Sequence, residues 1–132
     1  MAGEVNHCSR WQILNFIWQE KSMTVIRVKA PATTANLGPG YDCLGLALDV
    51  WNTLEVEVLQ SGDPVVEIVG EGVGELSTGP DNLVYKAMEF LFQDAGEGMP
   101  AVRISCNNSI PLARGMGSSA AAIAGGLVAA NS

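Results

Sequence analysis

Ile110-Pro111-Leu112-Ala113-Arg114-Gly115-Met116-Gly117-Ser118-Ser119-Ala120-Ala121 is the stretch around which the 132-residue chain is best read. Two glycines one residue apart allow the backbone to turn where a Cβ would clash. Two serines follow, and residues 120 to 130 are all small or aliphatic. That order predicts a loop opening into a helix, with Ser118 or Ser119 as its N-cap. A helix start offers unpaired N–H groups and a partial positive charge, which suit phosphate. A hydroxyl in the first turn can also reach a metal that bridges phosphate oxygens. An ordinary Ser-capped helix after a glycine turn fits the same five residues, so Gly-Met-Gly-Ser-Ser alone leaves both readings open.

The surrounding residues narrow the choice of phosphate motif. A P-loop needs Gly-Lys-[Ser/Thr], and the lysines here are Lys21, Lys29 and Lys86, none of them in this stretch. Residues 115–120 formally match the G-x-G-x-x-[G/A] of a dinucleotide fold. In that fold the glycines follow directly on a strand. Here the nearest strand candidate, residues 101–106, is separated from Gly115 by a polar loop containing Pro111. A dinucleotide-dependent oxidoreductase is thus an alternative with a formal match but the wrong setting.

Composition sets the outer bounds. A chain of this length suffices for one domain but is small for an enzyme that must enclose two substrates. Apolar residues make up 48% and charged residues 16%, as in a globular protein. A net charge of −7 argues against a nucleic-acid partner, whose usual footprint is basic. It does not argue against a nucleotide held by backbone amides and Mg²⁺. Cys8, Cys43 and Cys106 form no zinc spacing, and an odd count suits reduced thiols in the cytoplasm. The sole histidine, His7, leaves no basis for a Ser-His triad or a His-based metal site.

Residues 1–22 differ from the rest of the chain and are read as an N-terminal extension of unknown role, with residues 23–132 as the domain. Within the extension, Trp11-Gln12-Ile13-Leu14-Asn15-Phe16-Ile17-Trp18-Gln19 places Gln12, Asn15 and Gln19 in one wedge of a helix. It is too short to span a membrane and lacks the pattern of a secretory signal. Residues 24–29 alternate as a strand. They lead into Ala30-Pro31-Ala32-Thr33-Thr34-Ala35-Asn36-Leu37-Gly38-Pro39-Gly40-Tyr41-Asp42-Cys43-Leu44-Gly45, read as a second polar, Gly-rich loop. Asn36 and Asp42 could grip a substrate bearing an ammonium and a hydroxyl, or could simply make turns beside glycine.

Farther on, residues 47–59 end in clear alternation, with Leu54, Val56 and Val58 on one face and Glu55 and Glu57 on the other. Residues 65–69 make a shorter strand and residues 70–79 a glycine-rich loop. Asp81 is expected to cap a helix in which Leu83, Val84, Ala87, Met88, Leu91 and Phe92 recur at helical steps until Gly96. Strands, a helix, a strand and a helix predict an α+β domain with helices on one face of a mixed or mostly antiparallel sheet.

Two separated motifs carry a family resemblance. The string from Ile110 to Ala121 resembles the ATP-binding signature of the GHMP kinases, the group containing galactokinase, homoserine kinase, mevalonate kinase and phosphomevalonate kinase. Residues 31–42 look like the first motif of the homoserine kinases within that group; mevalonate kinases and galactokinases carry a Gly-Glu-His type sequence there, and this region has no His. The resemblance runs from about Thr24 to Ser132 and covers less than half of such a kinase. It implies the ribosomal-S5-domain-2-like N-terminal domain of the GHMP fold, incomplete, with the C-terminal domain absent.

It further implies ATP-dependent, Mg²⁺-assisted phosphorylation of the L-homoserine hydroxyl to O-phospho-L-homoserine, in cytoplasmic threonine biosynthesis. Pro111, Leu112, Ala113, Arg114, Gly115, Met116, Gly117, Ser118 and Ser119 would bind the phosphates. Gly117 would allow close backbone approach to them, and Ser119 would ligate the metal. Asn36 and Asp42 would hold homoserine, with Asp42 also a candidate proton acceptor, and Asn82 would lie near the adenine. No nucleic acid or membrane partner is implied, and the full-length protein has room to form a homodimer. A non-catalytic nucleotide-binding module is the main alternative. The chain by itself is expected to be inactive.

Overall fold

The computed structural model describes residues 24–35, 38 and 43–132. Among these residues, four strands and two helices follow in the order β1 (Val25–Ala35), β2 (Gly45–Val58), β3 (Val65–Gly70), α1 (Leu83–Asp94), β4 (Val102–Asn108) and α2 (Ser118–Ala130). The sheet order is β1-β2-β4-β3. The β1–β2 and β2–β4 pairs are antiparallel and β3–β4 is parallel, so the sheet is mixed. This is not the parallel sheet of a dinucleotide fold. No helix among the described residues is long and apolar enough to cross a membrane.

The alternation in β2 becomes two apolar rows that cross all four strands. Val56 stands opposite Ile26 and Ile104, and Ile104 opposite Val66. Leu54 stands opposite Val28 and Cys106, and Cys106 opposite Ile68. Val84 and Met88 of α1 and Ala129 of α2 close over these rows, so the core is one-sided. The opposite face is polar: Arg27 Nη2 lies 2.6 Å from Glu55 Oε1, and Arg103 Nη1 lies 2.8 Å from Glu57 Oε2. Exposed pairs of this kind contribute about 1 kcal/mol at most. Their main effect is on register, because a one-residue slip would bury them.

Three local expectations need correction. The loop expected over residues 30–45 begins and ends as strand, since β1 runs on to Ala35 and pairs it with Gly45. Thr33 and Thr34 favour the extended chain, and Pro31 is tolerated because β1 is an edge strand. A register shift between Pro31 and Ala32 bends the hairpin there. The cap of α1 is Asn82, not Asp81. Asp81 instead reaches Lys86 Nζ at 2.8 Å. Neither Ser118 nor Ser119 caps α2; Gly117 holds that position in the left-handed conformation, and the serines are the first two helical residues.

The two helices touch through glycine. A Cβ on Gly126 would lie 2.7 Å from the Val84 carbonyl oxygen and 3.0 Å from Ala87 Cβ. Only a bare Cα lets α2 settle this close to α1. A second, smaller cluster of Ala32, Ile110 and Ala121 joins the far end of the hairpin to the start of α2. That joint positions the site.

Candidate active site

The loop before α2 is held from below at both ends. At its entry, Asn52 Oδ1 accepts the backbone N–H groups of Ser109 at 2.8 Å and Ile110 at 2.9 Å. Ile110 is fully buried, so the loop leaves the sheet from a fixed point. At its exit, the Met116 carbonyl accepts the Thr33 N–H at 2.9 Å. Between the anchors the chain turns through two left-handed residues, Ala113 (φ 53°) and Gly115 (φ 69°), and a third, Gly117 (φ 72°), follows directly after Met116.

Gly117 has two reasons to be glycine. Its φ suits a residue without Cβ, and a Cβ there would collide with the Thr33 hydroxyl. The close approach is therefore to β1 itself, which revises the expectation that a phosphate alone demands it. No side chain caps the succeeding helix. Its first intrahelical bond runs from the Ala121 N–H to the Gly117 carbonyl at 2.9 Å. The N–H groups of Ser118, Ser119 and Ala120 precede that bond, so they have no carbonyl partner within the helix. With no acidic residue in the first turn to neutralise it, this end keeps its positive character.

Ser118 and Ser119, at this helix start, border a cavity of about 130 Å³. Leu54 and Cys106 of the sheet form its floor, Ser118, Ser119 and Ala121 one wall, and Asn82 and Val84 another. Apolar walls with a few converging polar groups are what a small-molecule site requires. Burial pushes the Cys106 thiol up to about 11, so at neutral pH it is part of the apolar floor. Asp81, at the rim, has its carboxyl held below the usual range by the hydrogen bond and charge of Lys86.

The expected site residues divide into three groups. Leu112, Ser118, Ser119 and Asn82 share this cavity. Asn82 is almost fully buried and its carboxamide serves the fold: Oδ1 accepts from the Val84 N–H at 2.9 Å and Nδ2 donates to the Ser77 carbonyl at 2.8 Å. Pro111, Ala113 and Arg114 instead line an open depression on the far side of the loop, together with Glu71 and Glu75. Gly115 is exposed, while Met116 packs on the small cluster under the loop. Asn36 and Asp42 lie outside the described residues. Sequence reasoning missed Asn52 and Thr33. An Asn beside Trp51 within a strand was the available signal for the first, since Asn is depleted in strands.

Residues 82–132 match the GHMP kinases N terminal domain. The mixed sheet, the two helices on one face and the glycine loop before α2 are thus the fold of a GHMP kinase N-terminal domain. Within that class the relatives are homoserine kinases. The homoserine kinase of Synechocystis is 47% identical over 113 residues, covering 83% of this chain and 36% of the relative. That of Symbiobacterium thermophilum is 50% identical over 107 residues, covering 81% and 33%. The chain therefore spans about a third of the length of the curated relatives it matches. The crystal structure of homoserine kinase from Cytophaga hutchinsonii superposes with a TM-score of 0.71 at 28% identity, over 81% of this chain and 34% of that one. A Methanococcus jannaschii mevalonate kinase, at 18% identity and a TM-score of 0.62 over 82% and 40%, shares the fold.

Proposed function

We propose that residues 23–132 form the nucleotide-cradling and acceptor-selecting part of a homoserine kinase, which transfers the γ-phosphoryl group of ATP to the hydroxyl of L-homoserine. The observation that carries this reading is the uncapped start of α2, bordering a cavity walled by the capping turn of α1. Backbone N–H groups from Gly115 to Ala120 would hold phosphate oxygens, aided by the helix dipole. The nucleoside would occupy the apolar cavity between Leu54, Cys106 and the Asn82 turn.

The residues at the start of α2 fit a metal ion shared with the phosphates. Among the described residues no cluster of three His, Cys, Asp or Glu could hold one. Ser119 offers a single exposed hydroxyl at the helix start, enough for an ion held mainly by phosphates. Mg²⁺, when bound, would neutralise charge on the transferring group. Asn36 and Asp42 would grip the amino acid, Asp42 through its ammonium. Phosphoryl transfer depends mostly on positioning and charge stabilisation, so a strong base is not required of this segment. The cytoplasmic place in threonine synthesis belongs to the same reading.

The test is a chimera in which this chain's residues 24–132 replace the matched region of the Cytophaga hutchinsonii enzyme. Homoserine-dependent ADP release is expected. In the chimera, Ser119→Ala should lower kcat about a hundredfold, the loss of one preorganised electrostatic contact. Asp42→Asn should raise the KM for homoserine at least about tenfold while moving that for ATP by less than about twofold. A folded chimera that binds ATP yet shows no homoserine-dependent turnover would reduce the segment to a nucleotide-binding module.

A further inference from the structure

We propose that Asn52 is a positioning residue that fixes the start of the glycine loop through Oδ1 and presents Nδ2 to an oxygen of the bound nucleotide. The second half rests on the nucleotide-binding function proposed for this cavity. Asn52 pairs with Ala30 on β1, but the β2–β4 ladder stops one residue later, at Thr53 opposite Asn107. β4 itself ends at Asn108, and the N–H groups that follow, those of Ser109 and Ile110, have no strand partner. Asn52 Oδ1 accepts both, at 2.8 and 2.9 Å. Those two donors fix which way the carboxamide faces, because Nδ2 in that place would meet N–H with N–H.

Nδ2 is therefore turned away from the loop backbone. Among the described residues it donates to no protein atom, and no buried side-chain nitrogen or oxygen is left without a partner. Asn52 lines the same cavity as Ser118 and Ser119. The anchoring job needs only an acceptor, and a carboxylate would accept two N–H bonds more strongly than an amide. What Asn has and Asp lacks is an N–H donor, carried here by a residue that lines the cavity bordered by the uncapped start of α2. One side chain thus ties loop position to ligand contact.

The experiment compares wild type, Asn52→Asp and Asn52→Ala in the full chain, by hydrogen exchange and by amide NMR with added Mg·ATP. In Asn52→Asp the Ser109 and Ile110 amides should stay as protected as in wild type, while Mg·ATP affinity falls at least about tenfold. In Asn52→Ala the protection of both amides should fall at least about tenfold, the loss of one net hydrogen bond each. In wild type, the Asn52 side-chain NH₂ pair should shift on adding Mg·ATP. That last reading decides the ligand half even where a variant fails to fold. An Asn52→Asp protein that binds Mg·ATP as wild type does, or an NH₂ pair unmoved while neighbouring cavity amides shift, would overturn the inference and leave the nucleotide reading standing. No Mg·ATP effect anywhere in wild type would overturn both.

Discussion

The Thr33 N–H donates to the Met116 carbonyl at 2.9 Å, and one residue later Gly117 rests against the Thr33 side chain with no space for a Cβ. This contact joins the edge strand to the last turn of the glycine loop. It fixes where the N–H groups of Ser118, Ser119 and Ala120 begin. The edge strand and the last turn of the glycine loop are therefore one mechanical unit.

Gly117→Ala should damage stability and nucleotide binding together. The substitution meets Thr33 and places a side chain at φ 72°; backbone strain of this kind alone amounts to about 1–3 kcal/mol. Gly115→Ala is the control, with a similar φ of 69° but nothing within 4 Å of the added Cβ. It should lose less. Thermal denaturation of the two variants checks this, and equal midpoints would mean that the Thr33 contact carries no energy.

The paired glycines of α2 should respond in opposite directions. Gly125→Ala adds a Cβ 3.6 Å from Leu54 Cδ2, an ordinary contact, so the helix-propensity gain of roughly 1 kcal/mol should appear as added stability. Gly126→Ala meets the Val84 carbonyl at 2.7 Å and should destabilise despite the same gain. Urea midpoints give the signs. Two stabilised proteins would show that α1 yields to the intrusion.

Much of the fold is legible in the sequence because it depends on local pattern. The alternation at residues 54–58 marks the core face of β2, the apolar recurrence from Leu83 marks α1, and the glycines mark the loop. Residues 30–35 read as loop because they are small and polar. Their strand state comes from pairing with partners within residues 45–52, a long-range term. The helix caps lie one or two residues from their expected places for a related reason. Asn82 wins over Asp81 because a carboxamide can accept from Val84 while donating to Ser77, and that second partner is visible only in the fold. The role of Asn52 also depends on a residue 57 positions away in the chain.

Cys106 should make stability fall with pH in a defined window. Its thiol is raised by burial from 9.0 to about 11, so between these values the unfolded chain releases a proton that the folded chain keeps. Unfolding is favoured as pH rises through that window, and the loss levels off above about 11. Below pH 9 the contribution is intact. Comparing denaturant midpoints of wild type and Cys106→Ala from pH 8 to 11 isolates it: the variant should show the shallower decline. Parallel declines would mean that the thiol titrates as in water.

The central claim, that the loop and the start of α2 cradle the phosphates of ATP beside the Asn82 turn, is tested most directly by titrating isotope-labelled protein with Mg·ATP and reading each backbone amide. The account predicts saturable shifts at Gly115 to Ala120 and at Asn82 to Val84, with NAD at the same concentration leaving them unmoved. Shifts from NAD equal to those from Mg·ATP, or Mg·ATP shifts confined to residues outside these two segments, would contradict it.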